Sequence, residues 1–347
     1  MGLAWQGDKI MKKFFACMVA LMAMSIASVY ADGQSAMLQQ QDGTISLFYG
    51  KNALKEAYAA AADSGAVITL SRGTFGNLVV EKQLTIVGYH GFSDTGAEST
   101  LINSIVVKAD DVMIDGVYFV NYVGLDSIRN CRLIHSWINK FQDNPQWNTY
   151  TIVDQCVVKD FTYALQRSTD LVVRNSTVYF DCYNTGLKKN PNMAYIVNCV
   201  IYMPGYTGYW DDSVCREVLP YATFKNNIFY FSDGVDSRAT ALIQDDYSKF
   251  FNNTWAIVQY SYDYISLGPT CVVEGHEVVD ASDILPEATY PAYPVNPTLG
   301  SDGTPRGPLG GSGFTDKPSI PRITSREIDT NPDADGKVNV KITVSAE

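Results

Sequence analysis

Two stretches of the 347-residue chain bring aromatic rings, carboxylates and a cation close together. The first runs from Pro204 to Arg216 and holds Tyr206, Tyr209, Trp210, Asp211, Asp212 and Arg216. The second runs from Trp137 to Tyr150 and adds Phe141, Asp143 and Trp147. That mixture suits a sugar, whose C–H faces stack on aromatic planes while acids take its hydroxyls. Trp137, Trp147, Tyr206, Tyr209 and Trp210 are therefore the candidate carbohydrate-binding residues. Asp211 and Asp212, with Arg216 close behind, are the candidates for catalysis, one carboxylate giving a proton while another activates water. The plainer alternative is that these loops only pack their aromatics against a scaffold.

Other chemistry finds less support. The cysteines beyond the first 31 residues are Cys131, Cys156, Cys182, Cys199, Cys215 and Cys271, and none is in C-x-x-C spacing. A zinc knuckle or thioredoxin-like site is unsupported, and no metal site is expected. Asn331 to Gly336 resembles a calcium loop, but Ile342 stands at the twelfth position, where a bidentate acid is needed. A hairpin turn is the simpler reading. His135 follows an apolar strand end and is expected in the core or a turn. Lys188-Lys189 fits a solvated turn, and Arg167 with Asp170 a surface pair of little weight. The formal net charge is −11, which argues against a nucleic-acid binder, because such a protein needs a basic face.

The amino terminus is expected to be an address. Met11-Lys12-Lys13 opens a basic segment, Phe14 to Val29 is uncharged and apolar, and Val29-Tyr30-Ala31 offers a cleavage site. Residues 1–31 are thus assigned to a signal peptide, with 1–10 as an upstream-start extension. No later stretch is apolar enough to span a bilayer. The mature chain is expected in the periplasm, at the cell surface or secreted.

One amphipathic helix is expected over 52–62, with Asn52 as its N-cap, Gly65 as its stop, and Leu54, Ala57, Tyr58 and Ala61 on one face. After Gly65 the period switches to two, through Ala66–Leu70, Leu78–Val80 and Leu84–Val87. A short phrase then recurs: apolar, any, Asn or Gly, small, any, apolar. It appears at Ile114, Ile128, Val153, Val173, Ile196, Phe224 and Phe250. Its third position falls at Asn130, Gln155, Asn175, Asn198, Asn226 and Asn252, in steps of 25, 20, 23, 28 and 26 residues. That period signals a solenoid. Gly116 to Asn130 is only 14 residues, so one of those two phrases belongs to a different face.

A short strand cannot bury its apolar face alone, whereas stacking on the next at ~4.8 Å buries both. The Asn column would then set amide above amide. The neighbouring column would hold Cys131, Cys156, Ser176, Cys199, Asn227 and Asn253, the cysteines serving as small inert hydrophobes.

The helix, the Ala66–Gly73 strand and the recurring Asn-Cys phrases resemble the right-handed parallel β-helix proteins of the pectate lyase-like superfamily, over about residues 50–310. The run Asn296–Gly310 is similar to the Gly-rich final coil of exported members. The resemblance implies an all-β solenoid whose first coil is covered by the helix. It leaves function open, because one fold hosts lyases, hydrolases, adhesins and fibres. Of the polygalacturonase pattern only Asp-Asp occurs, at Asp211-Asp212 and Asp245-Asp246. The second arginine of the pectate lyase pattern is missing after Arg306-Gly307-Pro308. A lyase would also need Ca²⁺ on Asp and Glu.

The expected organisation is a solenoid over 32–310 and a C-terminal extension over 311–347 with a hairpin. The expected function is non-catalytic glycan binding or a cell-envelope scaffold, by a monomer whose partner is a polysaccharide. The rivals are a polysaccharide lyase or glycoside hydrolase on an acidic polysaccharide, and an adhesin with a protein partner.

Overall fold

Among the described residues, parallel pairing between strands about one repeat apart builds most of the sheet structure. The computed structural model describes residues 34–142, 148–161, 168–179, 194–203, 215–216, 222–231, 243–245, 248–257, 265–267, 270–280, 298–316, 322–328 and 340–345. Twelve strands form the first sheet among these residues. It opens with the antiparallel pair Ser35–Gln39 and Ile45–Tyr49 and continues through Ser64–Leu70 and Gln83–Val87. From Met113–Asp115 to Val272–Glu274 every strand then pairs in parallel with the next. The second sheet runs alongside, from Gly73–Phe75 and Thr100–Val107 through Tyr118–Leu125 and Trp137–Ile138 to Glu277–Asp280. The chain is therefore all-β and dominated by two long parallel sheets, as the repeat implied.

Alternation along each short strand decides what goes inside. In the first sheet Ile114, Leu133, Val153, Val173, Ile196, Phe224 and Phe250 share one register position and are buried. In the second, Phe119, Ile138, Val158, Val178, Ile201, Phe229 and Trp255 do the same. Both columns belong to one core. Towards the end of the stack the side chains grow aromatic: Phe224 stacks on Phe250 at 5.0 Å and Phe229 on Trp255 at 4.5 Å. Each such burial stabilises by roughly 1.5–3 kcal/mol.

A left-handed residue follows each first-sheet strand from Met113–Asp115 onward, on the way to the second sheet. Gly116, His135, Gln155, Asn175, Asn198, Asn226, Asn252 and Gly275 all have φ between 44° and 70°. Each backbone N–H from Gly116 to Asn252 donates to the carbonyl before the turn at the next level, for example Asn175 to Val197 at 3.2 Å. This corrects the expected columns. Register places His135, not Asn130, beside Gln155, and Ser136, not Cys131, beside Cys156. Asn130 belongs to an earlier turn, where Asp111, Asn130, Tyr150 and Asp170 are also left-handed. The 14-residue step thus crosses from one turn to the other.

The column after the turn satisfies buried backbone, as small polar side chains can. Ser176 Oγ accepts from Cys156 N, Asn227 Oδ1 from Cys199 N, and Asn253 Oδ1 from Asn227 N. Amide above amide does occur, from Asn227 Nδ2 to Asn253 Oδ1 at 3.1 Å, but one position later than expected. Cys131, Cys156 and Cys199 are free and buried. Burial pushes the Cys131 and Cys199 thiols up to about 12 and the Cys156 thiol higher still, so all three are inert.

The helix spans Ala53–Ala60, shorter than expected, and packs Ala53, Leu54 and Ala57 into the core. Asn52 is already right-handed and makes no side-chain cap, and the helix ends before Gly65 is reached. Lys82 closes the far end instead: its Nζ donates to the carbonyls of Ala61 at 2.6 Å and Tyr58 at 3.2 Å. A cation there also opposes the negative end of the helix dipole. The expected C-terminal hairpin pairs Arg322–Ile328 with Val340–Ser345 in antiparallel.

The Gly-rich segment departs most from expectation. Residues 298–316 join neither long sheet but run back along the left-handed turns as a strap. Arg306, 8% exposed, donates to the carbonyls of Asn253, Gly275 and Leu299 and pairs with Glu277 at 3.2 Å. Ser301 N donates to Asn226 Oδ1, Asn175 Nδ2 to the carbonyls of Pro308 and Gly310, and Thr315 N to Gln155 Oε1. The strap reaches the start of the stack, where Asp316 meets His90 and Phe314 meets Phe92. Its glycines answer to contact. A Cβ on Gly311 would lie 2.4 Å from Asn198 Nδ2, and one on Gly300 2.7 Å from Asn226 Cγ. The turn amides thus hold the strap rather than one another.

Candidate functional site

Much of the two stretches that the sequence singles out lies outside the described residues. Residues 143–147, 180–193, 204–214 and 232–242 each follow a second-sheet strand or the short stretch after it. Trp147, Tyr206, Tyr209, Trp210, Asp211 and Asp212 lie outside the described residues. So do Lys188, Lys189, Arg167, Cys182, the 331–336 turn and residues 1–31. The backbone of Arg216 is placed, in the short strand Cys215–Arg216 opposite Gln244. Trp137 is the one candidate of the set whose side chain is described.

Trp137 begins a polar and aromatic stripe on the outer face of the second sheet. Counted from the left-handed residue of each level, positions two and four face outward. Position two holds Tyr118 and Trp137, stacked at 5.6 Å and 15°. Position four holds Asn139, Lys159, Tyr179, Tyr202 and Tyr230 at successive levels. Tyr179 stacks on Tyr202 at 4.5 Å and 5°, and Tyr230 packs on Tyr202 at 5.0 Å, tilted by 52°. Lys159 joins the two groups, its Nζ 4.0 Å from the centre of the Tyr179 ring and 5.4 Å from that of Trp137. Such contacts hold a cation against a ring face. Trp137 Nε1 donates to Asn139 Oδ1 at 2.8 Å, and Asn139 Nδ2 donates to the Val120 carbonyl, so the indole plane is fixed.

Tyr118, Trp137, Lys159, Tyr179 and Tyr230 are half-buried, while Tyr202 is buried. Along one side the stripe adjoins Val200 and Ile228, which the strap covers at Gly307. The remainder presents ring edges, an amide and an ammonium in line with the stack. A sugar polymer can lie along such a row by packing its C–H groups against the ring edges and by hydrogen bonds to the amide and ammonium on its fringe. Sequence reasoning found Trp137 and missed Tyr118, Lys159, Tyr179, Tyr202 and Tyr230. The signal was present, because three tyrosines recur four residues after Asn175, Asn198 and Asn226.

A second polar cluster has the residue types of catalysis but not the access. His135 Nδ1 and Asp115 Oδ1 are 2.8 Å apart, and Arg174 grips Asp154 Oδ2 through Nε at 2.8 Å and Nη2 at 2.6 Å. An Asp–His pair can orient a general base. Here the two side chains are 1% and 5% exposed and sit at the covered turn, out of reach of a polymer. His135 is the turn residue expected from its sequence setting. Among the described residues no group of three or more His, Cys, Asp or Glu side chains could hold a metal, and no helix is long and apolar enough to cross a membrane. No protein family, no curated protein and no solved structure matches this chain.

Proposed function

We propose that this protein is an exported glycan-binding protein or cell-envelope scaffold of the right-handed parallel β-helix type, without catalysis of its own. In this reading the two parallel sheets belong to a closed solenoid related to the pectate lyase-like superfamily, with the Ala53–Ala60 helix over its first turn. The observation that carries the function is the stripe of Tyr118, Trp137, Lys159, Tyr179 and Tyr230 on the outer face of the second sheet. A polysaccharide is the partner that such a surface fits. The test is a glycan panel on the mature chain, residues 32–347, with and without Ca²⁺, read for both binding and product release. Binding without turnover, weakened by Trp137→Ala, supports the reading. Release of unsaturated or reducing ends, abolished by Asp212→Asn, would establish the rival enzyme instead.

A further inference from the structure

We propose that Tyr150 and Tyr195, on the outer face of the first sheet, form a second contact for a neutral glycan chain, so that one molecule can hold two chains. The inference rests on the glycan reading above but on different residues. Tyr150 has φ 53° and its side chain is 61% exposed. Bulky residues rarely adopt that conformation. The other occupants of this turn column, Asp111, Asn130 and Asp170, have short polar side chains that tolerate it. A buried ring could offset the strain by packing, but one this exposed gains little in that way. Strain without burial points to a ring kept for contact with something outside the chain.

The neighbourhood says what that contact is. The outward residues Ile152, Val172 and Tyr195 share one register position on three successive strands, and Tyr195 is 38% exposed. Tyr150 lies two residues before Ile152. The two tyrosines therefore stand two levels apart along the stack, on the order of 10 Å, with half-buried aliphatic side chains between them. One level is about the length of one sugar ring in an extended chain, so the pair suits rings separated by a single residue. Asp170 adjoins Tyr150 in the turn column and Arg132 stands opposite Ile152 on the preceding strand, so the face carries charges of both signs, while the whole chain at −11 repels a polyanion. A neutral polymer is the occupant that these charges admit. The left-handed turns and the strap separate this face from the Trp137 stripe.

Calorimetric titration of the full mature chain with cellohexaose and with chitohexaose tests this. The expected result is two sites per chain for one of these probes. Tyr150→Asn and Tyr195→Ala should each weaken one site by about tenfold or more, and Tyr150→Asn should leave the melting temperature unchanged or raised. Trp137→Ala should weaken only the other site. A single site that Trp137→Ala removes and the tyrosine variants leave intact would overturn the second contact while sparing the first. A single site with the opposite response would sink the stripe and keep this one. No binding of either probe, or a lower melting temperature for Tyr150→Asn at unchanged binding, would overturn the proposal.

Discussion

From Met113–Asp115 to Val172–Arg174, the turn that ends each first-sheet strand and the turn that precedes it are both left-handed, yet the chain treats them differently. The later turn, at His135, Gln155, Asn175, Asn198 and Asn226, is largely buried, and its amides tie down the strap of residues 298–316. The earlier turn, at Asp111, Asn130, Tyr150 and Asp170, has no such cover among the described residues, and its bonds are made within the column, as from Asn130 Nδ2 to Asp111 Oδ1. The same backbone need, a short polar residue at positive φ, is met at both. Where the turn is covered, every position serves the fold. Where it is open, one position can hold a residue as costly as Tyr150. The covered seam thus carries stability, and the exposed faces, this one and the Trp137 stripe, are free to carry recognition.

That contrast can be broken by removing what ties the seam. Arg306→Ala should have the largest effect, because it strands the carbonyls of Asn253, Gly275 and Leu299 and leaves Glu277 without its cation. The expected loss is about 3–4 kcal/mol in urea unfolding. Asn175→Ala loses three bonds to the strap and puts Ala at φ 48°, for about 2–4 kcal/mol. Asn175→Gly keeps the turn and should cost only about half as much, which separates the bonds from the backbone strain. If the two variants cost the same, the strap contact alone is what matters.

The smallest effect concerns the buried thiols, Cys199 after the covered turn and Cys131 after the open one. Their protons are held more tightly in the folded chain than in the unfolded one, which releases them near pH 8.5–9. Above that range the unfolded state binds fewer protons, so stability must fall as pH rises towards 12, and it is fully present below. At about pH 9.5 each thiol accounts for roughly 1 kcal/mol of that loss. Cys131→Ala should therefore flatten the alkaline limb of the stability profile by about that amount, whatever it costs at neutral pH.

Much of the scaffold was legible in the chain and less of its use. Recurring phrases such as Val173–Val178 mark strand, left-handed turn and strand at once, because Asn tolerates that turn and apolar residues alternate around it. The register slipped at one level. His135 does the work of Asn there, and the Asn130-Cys131 phrase belongs to a turn with the same requirement. The antiparallel pair Ser35–Gln39 and Ile45–Tyr49 went unseen, since no repeat announces it. The strap could not be read at all. Its bonds to the turns join residues 31 to 160 positions apart, and a run of Gly and Pro says that something passes close without saying what. The aromatic stripe was hidden by variable spacing along the chain and becomes regular only when counted from each turn.

One paired experiment reaches the centre of this account: thermal unfolding and glycan titration on Asn175→Ala and Trp137→Ala side by side. Asn175→Ala should lower the melting temperature clearly and leave glycan affinity as it was. Trp137→Ala should do the reverse, losing about tenfold or more in affinity while the melting temperature shifts by less than in the Asn175 variant. If affinity instead falls in step with stability in both proteins, or moves in neither, seam and stripe do not divide the work between them and the account is wrong.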